Sequence, residues 1–186
     1  MIFFDNNQIN YIFRDNIYHM NKSFKIVSNN ISDTEKIAAS LVRMLKISGG
    51  LVCMYGDIGA GKTALTSLCA KFLGVKEKVT SPSFVILNEY HSGDLDLYHF
   101  DLYRLENEGL KSIIDELQTY STMKHSLTFV EWAEFSAGEL DLPRLEISIK
   151  YIDDNSREFL FTNYGILPQE NFETLKKELL NEYTGV

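Results

Sequence analysis

Gly56-Asp57-Ile58-Gly59-Ala60-Gly61-Lys62-Thr63 is the stretch from which the rest of the chain is read. It fits the P-loop pattern G-x-x-x-x-G-K-[ST] at every fixed position. Ahead of it, Leu51-Val52-Cys53-Met54-Tyr55 is a short apolar run of the kind that forms a buried strand. Behind it, Ala64, Leu65, Leu68, Cys69, Phe72 and Leu73 recur at helical spacing, and Gly74 supplies a stop. Strand, glycine-rich loop and helix, in that order, are what phosphate binding requires. Backbone N–H groups in the loop and first helical turn have no intrahelical partner, so they are free to point at phosphate oxygens. Glycines let the backbone come close to the anion. Lys62 brings a charge suited to β- and γ-phosphates, and Thr63 a hydroxyl suited to Mg2+. The plainer reading, a glycine-rich turn with an incidental Lys-Thr, has to explain why strand and helix are both in place.

Outward from the loop, strand and helix signals alternate. Phe24–Val27 reads as a short strand. Ser32-Asp33-Thr34-Glu35 reads as a capping box opening a helix whose apolar face is Ile37, Ala38, Leu41, Met44 and Leu45, ended by Gly49-Gly50. After the P-loop helix comes the hydroxyl-bearing loop Thr80-Ser81-Pro82-Ser83-Phe84. Phe84–Tyr90 and Leu95–Phe100 then form a predicted hairpin about His91–Asp94. A helix is predicted over Leu110–Leu117 and a buried strand over Leu127–Val130. Leu145, Ile147, Ile149 and Tyr151 alternate with polar residues as in a half-exposed strand, and Arg157–Phe161 adds another. Phe172, Leu175, Leu179 and Leu180 share a helical face. The expected fold is α/β, a mixed sheet flanked by helices in a single domain. Its expected parts are an N-terminal extension (1–23), a P-loop nucleotide-binding domain (24–162) and a helical tail (163–186). The extension lacks periodicity, so residues 1–19 are expected to be dispensable, with Met20 the functional start.

A P-loop site usually adds a carboxylate at a strand end. Asp101 and Glu131 both sit there, and ligands in open α/β sheets bind beyond the carboxyl ends of strands. Either acid equally suits a solvated surface or a helix cap. The Thr80–Ser83 hydroxyls suit a switch loop that senses a terminal phosphate or an ordinary Ser-Pro turn. His99 reads better as a strand histidine satisfied by a neighbour than as a general base. Trp132 suits core or docking surface; Arg104 and Arg157 suit a phosphate or an acid partner.

Composition narrows the class. The chain has 186 residues, 45% hydrophobic and 24% charged, as a globular domain with a sizeable core does. No apolar run approaches the roughly 18–20 residues that span a bilayer. Met1–Asn7 has neither a basic n-region nor a sustained apolar stretch, so a cytoplasmic protein is expected. The 2 cysteines, Cys53 and Cys69, read as buried core thiols. A net charge of −8 is poorly suited to unaided nucleic-acid binding, which draws on Lys and Arg to neutralise phosphates. Any nucleic acid is therefore expected to be held by a partner.

Together these segments resemble the TsaE (YjeE) family, ATPases of tRNA threonylcarbamoyladenosine biosynthesis. The resemblance rests on four motifs in order: Gly56–Thr63, Ser81-Pro82-Ser83-Phe84, His99-Phe100-Asp101-Leu102-Tyr103-Arg104, and Val130-Glu131-Trp132. It covers about residues 24–162. It implies that Gly56, Asp57, Ile58, Gly59, Ala60, Gly61, Lys62, Thr63 and Ala64 bind ATP, that Thr63 and Glu131 ligate Mg2+, and that Lys62, Asp101 and Glu131 serve catalysis, Asp101 through hydrolysis or metal positioning. It also implies that Ser83 lies in the switch loop and that Thr34 and Arg157 contact nucleotide. Ser83 stands where the family usually has Thr, and Ala133 where it often has Pro. The implied activity is an ATP hydrolase, slow alone, supporting the partners TsaD and TsaB; TsaD carries the transferase chemistry, and tRNA is met only through the partners. No Asn-Lys-x-Asp follows the loop, which argues against a GTPase. A small-molecule P-loop kinase and a nucleotide-dependent binding module are the alternatives.

Overall fold

The computed structural model describes residues 22–106, 110–136 and 139–184. All but the last two residues of the expected N-terminal extension therefore lie outside the described residues. The P-loop strand β2 (Gly50–Tyr55) stands at the centre of a mixed sheet. It pairs in parallel with β5 (Ser126–Glu131) on one side and β6 (Arg144–Tyr151) on the other. Beyond β5 come parallel β4 (Asp96–Asp101) and then antiparallel β3 (Leu87–Tyr90). Beyond β6 come antiparallel β7 (Arg157–Tyr164) and β1 (Lys22–Ser28). Among the described residues the order is β1-β7-β6-β2-β5-β4-β3.

The unbroken apolar run of β2 follows from burial on both faces. Successive side chains point to opposite sides of a strand. Val52 and Met54 therefore enter one apolar cluster, and Leu51 and Cys53 the other. The first cluster lies between the sheet and three helices: α1 (Ile31–Leu45), α2 (Lys62–Phe72) and α4 (Gln169–Thr184). The second lies under α3 (Ile114–Thr122) and short 3-10 turns at Tyr103–Leu105 and Ala133–Ser136. Burial pushes both thiols up, that of Cys53 to about 12, as befits cysteines in the core. The tail helix α4 belongs to this core: Phe172 is fully buried, with its ring 5.3 Å from that of Phe24 on β1. No helix among the described residues is long and apolar enough to cross a membrane.

Three local expectations are corrected. The cap of α1 is Asn30, not Ser32: its side chain accepts from the Asp33 amide at 3.0 Å, while Asp33 accepts from the Asn29 amide. Asn30 and Asp33 thus form a cap of the same logic two residues earlier, where β1 has just ended. Phe84–Ile86 is not strand. The Val85 and Ile86 amides turn back to the Pro82 carbonyl and Ile86 takes a φ of 71°, so β3 starts only at Leu87. The helix expected over Leu110–Leu117 begins at Ile114 and continues to Thr122, because Tyr120 stacks on Tyr98 of β4 and holds the last turn against the sheet.

Candidate functional site

The parallel strands β2, β4 and β5 end along one edge of the sheet, and the loop after β2 crosses that edge into α2. Gly56 opens the loop with a φ of 139°, and a Cβ there would lie 2.3 Å from the Ile149 carbonyl oxygen. Only glycine fits both the angle and that approach. Gly61 caps α2 at a φ of 114° without a side-chain hydrogen bond, which leaves the helix's first amides directed outward.

Lys62 is almost wholly buried at the first position of α2. Its ammonium donates to the carbonyls of Gly56 and Asp57, the latter at 3.1 Å, and sits 3.7 Å from the centre of the Trp132 ring. Burial lowers its pKa from the ordinary lysine value, against the opposing pull of Glu131, Glu134, Asp101 and Asp57. Beside it, the Thr63 hydroxyl donates to Glu131 Oε2 at 3.0 Å. Glu131 Oε1 lies 2.7 Å from His99 Nε2. Glu131 is thus the neighbour that the place of His99 on a strand suggested, satisfying one of its two ring nitrogens.

Asp101 pairs in register with Glu131 across β4 and β5, so the two acids stand side by side at the strand ends. Their partners differ. Asp101 Oδ2 accepts from Ser81 at 2.7 Å and from Ser83 at 2.5 Å, and Oδ1 accepts from the Tyr103 amide at 3.1 Å. One acid faces the first turn of α2; the other holds the Pro82 loop.

These groups line a cleft of about 470 Å3, within the range of small-ligand sites of about 300–1,000 Å3. Ile58, Gly59, Gly61, Lys62, Thr63, Ala64, Ser83, Asp101 and Glu131 line it; Gly56, Asp57 and Ala60 form the loop behind them. Arg157 stands outside the lining, donating to the Ala60 carbonyl at 3.0 Å while its guanidinium covers the Tyr151 ring. Thr34 also lies outside it, its buried hydroxyl 2.8 Å from that of Ser28.

The structure places Trp132 and Arg104, whose parts the local sequence left open, and adds Glu134, which it did not single out. Trp132, at a φ of 57°, turns its ring under Lys62 and meets Tyr103 at 5.0 Å. A bulky residue in the left-handed region is strained, and such strain clusters at functional sites. Arg104 lies over the ring of Phe84 at 4.6 Å, on the cleft rim. Glu134 lies near Lys62 with Oε2 buried and unpartnered among the described residues, and burial raises its pKa. Tyr103 and Trp132, the aromatics just past the two strand-end acids, were the available signal.

Thr63 and Glu131 present the hard oxygen donors that Mg2+ prefers. Among the described residues no three His, Cys, Asp or Glu side chains converge as a protein-only metal cage. Mg2+ commonly takes one or two carboxylates and completes its shell with phosphates and water.

The sheet order, the glycine loop and the strand-end acids define a P-loop α/β protein. Its family follows from likeness over most of the chain. The family model described as "Threonylcarbamoyl adenosine biosynthesis protein TsaE" matches residues 28–159, and the chain belongs to that family. Among its relatives, the tRNA threonylcarbamoyladenosine biosynthesis protein TsaE of Bacillus subtilis is 37% identical over 158 residues, covering 85% of this chain and 94% of that protein. The protein of the same name from Treponema pallidum is 36% identical over 135 residues, 72% of this chain and 96% of the relative. The crystal structure of Bacillus subtilis YdiB superposes with a TM-score of 0.68 at 34% identity, covering 89% of this chain and 99% of that one.

Proposed function

We propose that this chain binds ATP with Mg2+ in the cleft and hydrolyses it, in the cytoplasm, to support a TsaD–TsaB complex making threonylcarbamoyladenosine in tRNA. The observation that carries the reading is the convergence of Lys62, Thr63, Asp101 and Glu131 on one cleft at the ends of parallel strands. Loop amides from Gly56 to Ala64 and the N-terminus of α2 would cradle the phosphates. Lys62 would exchange its loop carbonyls for β- and γ-phosphate oxygens. Thr63 and Glu131 would hold Mg2+, which when bound supplies neutralisation of phosphate charge. Asp101, adjacent to Glu131, would orient the attacking water or help position the metal, while its two serine partners couple it to the Pro82 loop. Ser83 thereby serves as the switch hydroxyl. Arg157 acts through the loop carbonyl it holds, and Thr34 through the start of α1.

The loop from Thr80 to Phe84 can differ between ATP and ADP states and so present two surfaces to a partner. Linkage then requires that partner docking tighten ATP binding by the same factor by which ATP tightens docking. The test is calorimetric titration of ATP with Mg2+ or with EDTA, together with phosphate release measured with and without TsaB–TsaD. Mg2+-dependent binding and partner-stimulated release are expected. Absence of ATP binding overturns the reading, and binding with no release in either condition favours a nucleotide-dependent binding module.

A further inference from the structure

His99 lies on the face of β4 that carries Asp101, two residues away, and opposite Phe129 of β5. Glu131, two residues beyond Phe129, reaches back diagonally to the imidazole. Both side chains are buried, His99 fully and Glu131 to 3% exposure. A carboxylate taken out of water is costly unless hydrogen-bonded. Glu131 has one bond on each oxygen: Thr63 on Oε2 and the His99 ring on Oε1.

The other ring nitrogen decides which way the second bond runs. His99 Nδ1 is buried and has no hydrogen-bond partner among the described residues. In the neutral ring a hydrogen on Nδ1 would be an orphaned buried donor and would leave an Nε2 lone pair facing a carboxylate oxygen; in the doubly protonated ring the Nδ1 hydrogen would be orphaned all the same. Both are penalised. With the hydrogen on Nε2, the ring donates to Oε1 and Nδ1 carries only a lone pair.

We propose that His99 is a positioning residue for Glu131: its Nε2–H holds Oε1 and so turns Oε2 toward Thr63 and the cleft. The inference rests on the reading of Glu131 as a Mg2+ partner. It gives the histidine the part played by outer groups that orient a ligating carboxylate, whose loss typically costs about 10–100-fold in metal affinity or activity. It also removes His99 from the candidates for general base, because the ring is fully buried and does not line the cleft.

The first measurement needs neither nucleotide nor metal. In the 15N-labelled full chain, one of the 4 histidine rings should show a hydrogen-bearing Nε2 and a pyridine-type Nδ1, and Glu131→Ala should shift that signal. A hydrogen on Nδ1 of the ring that responds to Glu131→Ala overturns the proposal. The second compares the Mg2+ concentration needed for half-maximal ATP binding in His99→Leu, His99→Gln and Glu131→Gln, with binding in EDTA as the control. His99→Leu should raise it about 10-fold or more. His99→Gln, whose amide N–H reaches a similar point, should stay close to the unsubstituted chain.

Equal impairment in the Leu and Gln variants points to packing and overturns positioning by the donor. A shift in Glu131→Gln with none in His99→Leu sinks the inference and leaves the metal reading standing. No shift in Glu131→Gln sinks the metal reading, and the inference with it. Should His99→Leu fail to fold, the ring signature and His99→Gln still decide.

Discussion

Lys62 and Glu134 show how burial at the cleft sets the behaviour of single charges. Lys62 is the only cation stacked on Trp132 among the described residues, and it lies against two loop carbonyls. Lys62→Ala should lose about 1.5–3 kcal/mol of ATP binding, the scale of a hydrogen bond to a charged group. Calorimetry showing unchanged affinity would refute the part assigned to it. Glu134 has a raised pKa, chiefly from burial. A carboxyl of this kind keeps its proton longer in the folded chain than in the unfolded one. Stability therefore falls as pH rises from the ordinary glutamate range through the raised value. Glu134→Gln should melt above the unsubstituted chain at neutral pH, and the gap should close as pH drops below the ordinary glutamate range. A gap that does not change with pH would remove burial of the charge as its cause.

At the scale of elements, α4 and the Pro82 loop differ most in burial. Phe172 of α4 is fully buried and tilted against Phe24. Phe172→Ala should cost about 3–5 kcal/mol, the usual range for removing a core aromatic. Denaturant unfolding is the measurement, and a loss under about 0.5 kcal/mol, the level of surface substitutions, would mean that α4 is only loosely docked. The Pro82 loop, by contrast, exposes Phe84 and Val85, and both its serine hydroxyls bond to one carboxylate oxygen of Asp101. Asp101→Asn should speed amide exchange across residues 80–86 while leaving β4 protected. Equal exchange in the two proteins would show that the carboxylate does not anchor the loop.

The whole molecule carries a net charge of −8, and that bears on what it binds. Phosphate backbones are held largely by Lys and Arg, with a strong dependence on salt. The chain alone should bind labelled tRNA weakly and without preference between a tRNA that receives the modification and one that does not. Tight, selective binding in a fluorescence titration near physiological salt would show a basic surface that the net charge conceals, and the partners would no longer be needed to hold the RNA.

Local sequence sufficed for the P-loop, the central strand, the helix after it and the α/β class. All of these depend on spacing over a few residues, and the glycine pattern admits few other backbones. It also brought out Asp101 and Glu131 as strand-end acids and Ser83 as a loop hydroxyl. It did not separate the two acids, because their difference lies in neighbours 18 to 68 positions away in the chain: Thr63 for Glu131, Ser81 and Ser83 for Asp101. The end of α3 was likewise set outside its own window, by Tyr120 on Tyr98, whereas the start of α1 and the turn at Phe84–Ile86 rest on local bonds that apolar periodicity does not report. The bond from Glu131 to His99 and the seat of Lys62 on Trp132 were also set from outside the local window. Pairing of β4 with β5, and of β5 with β2, brings these distant side chains to one edge. Periodicity reports which face a residue takes, whereas only the folded sheet decides what it meets there.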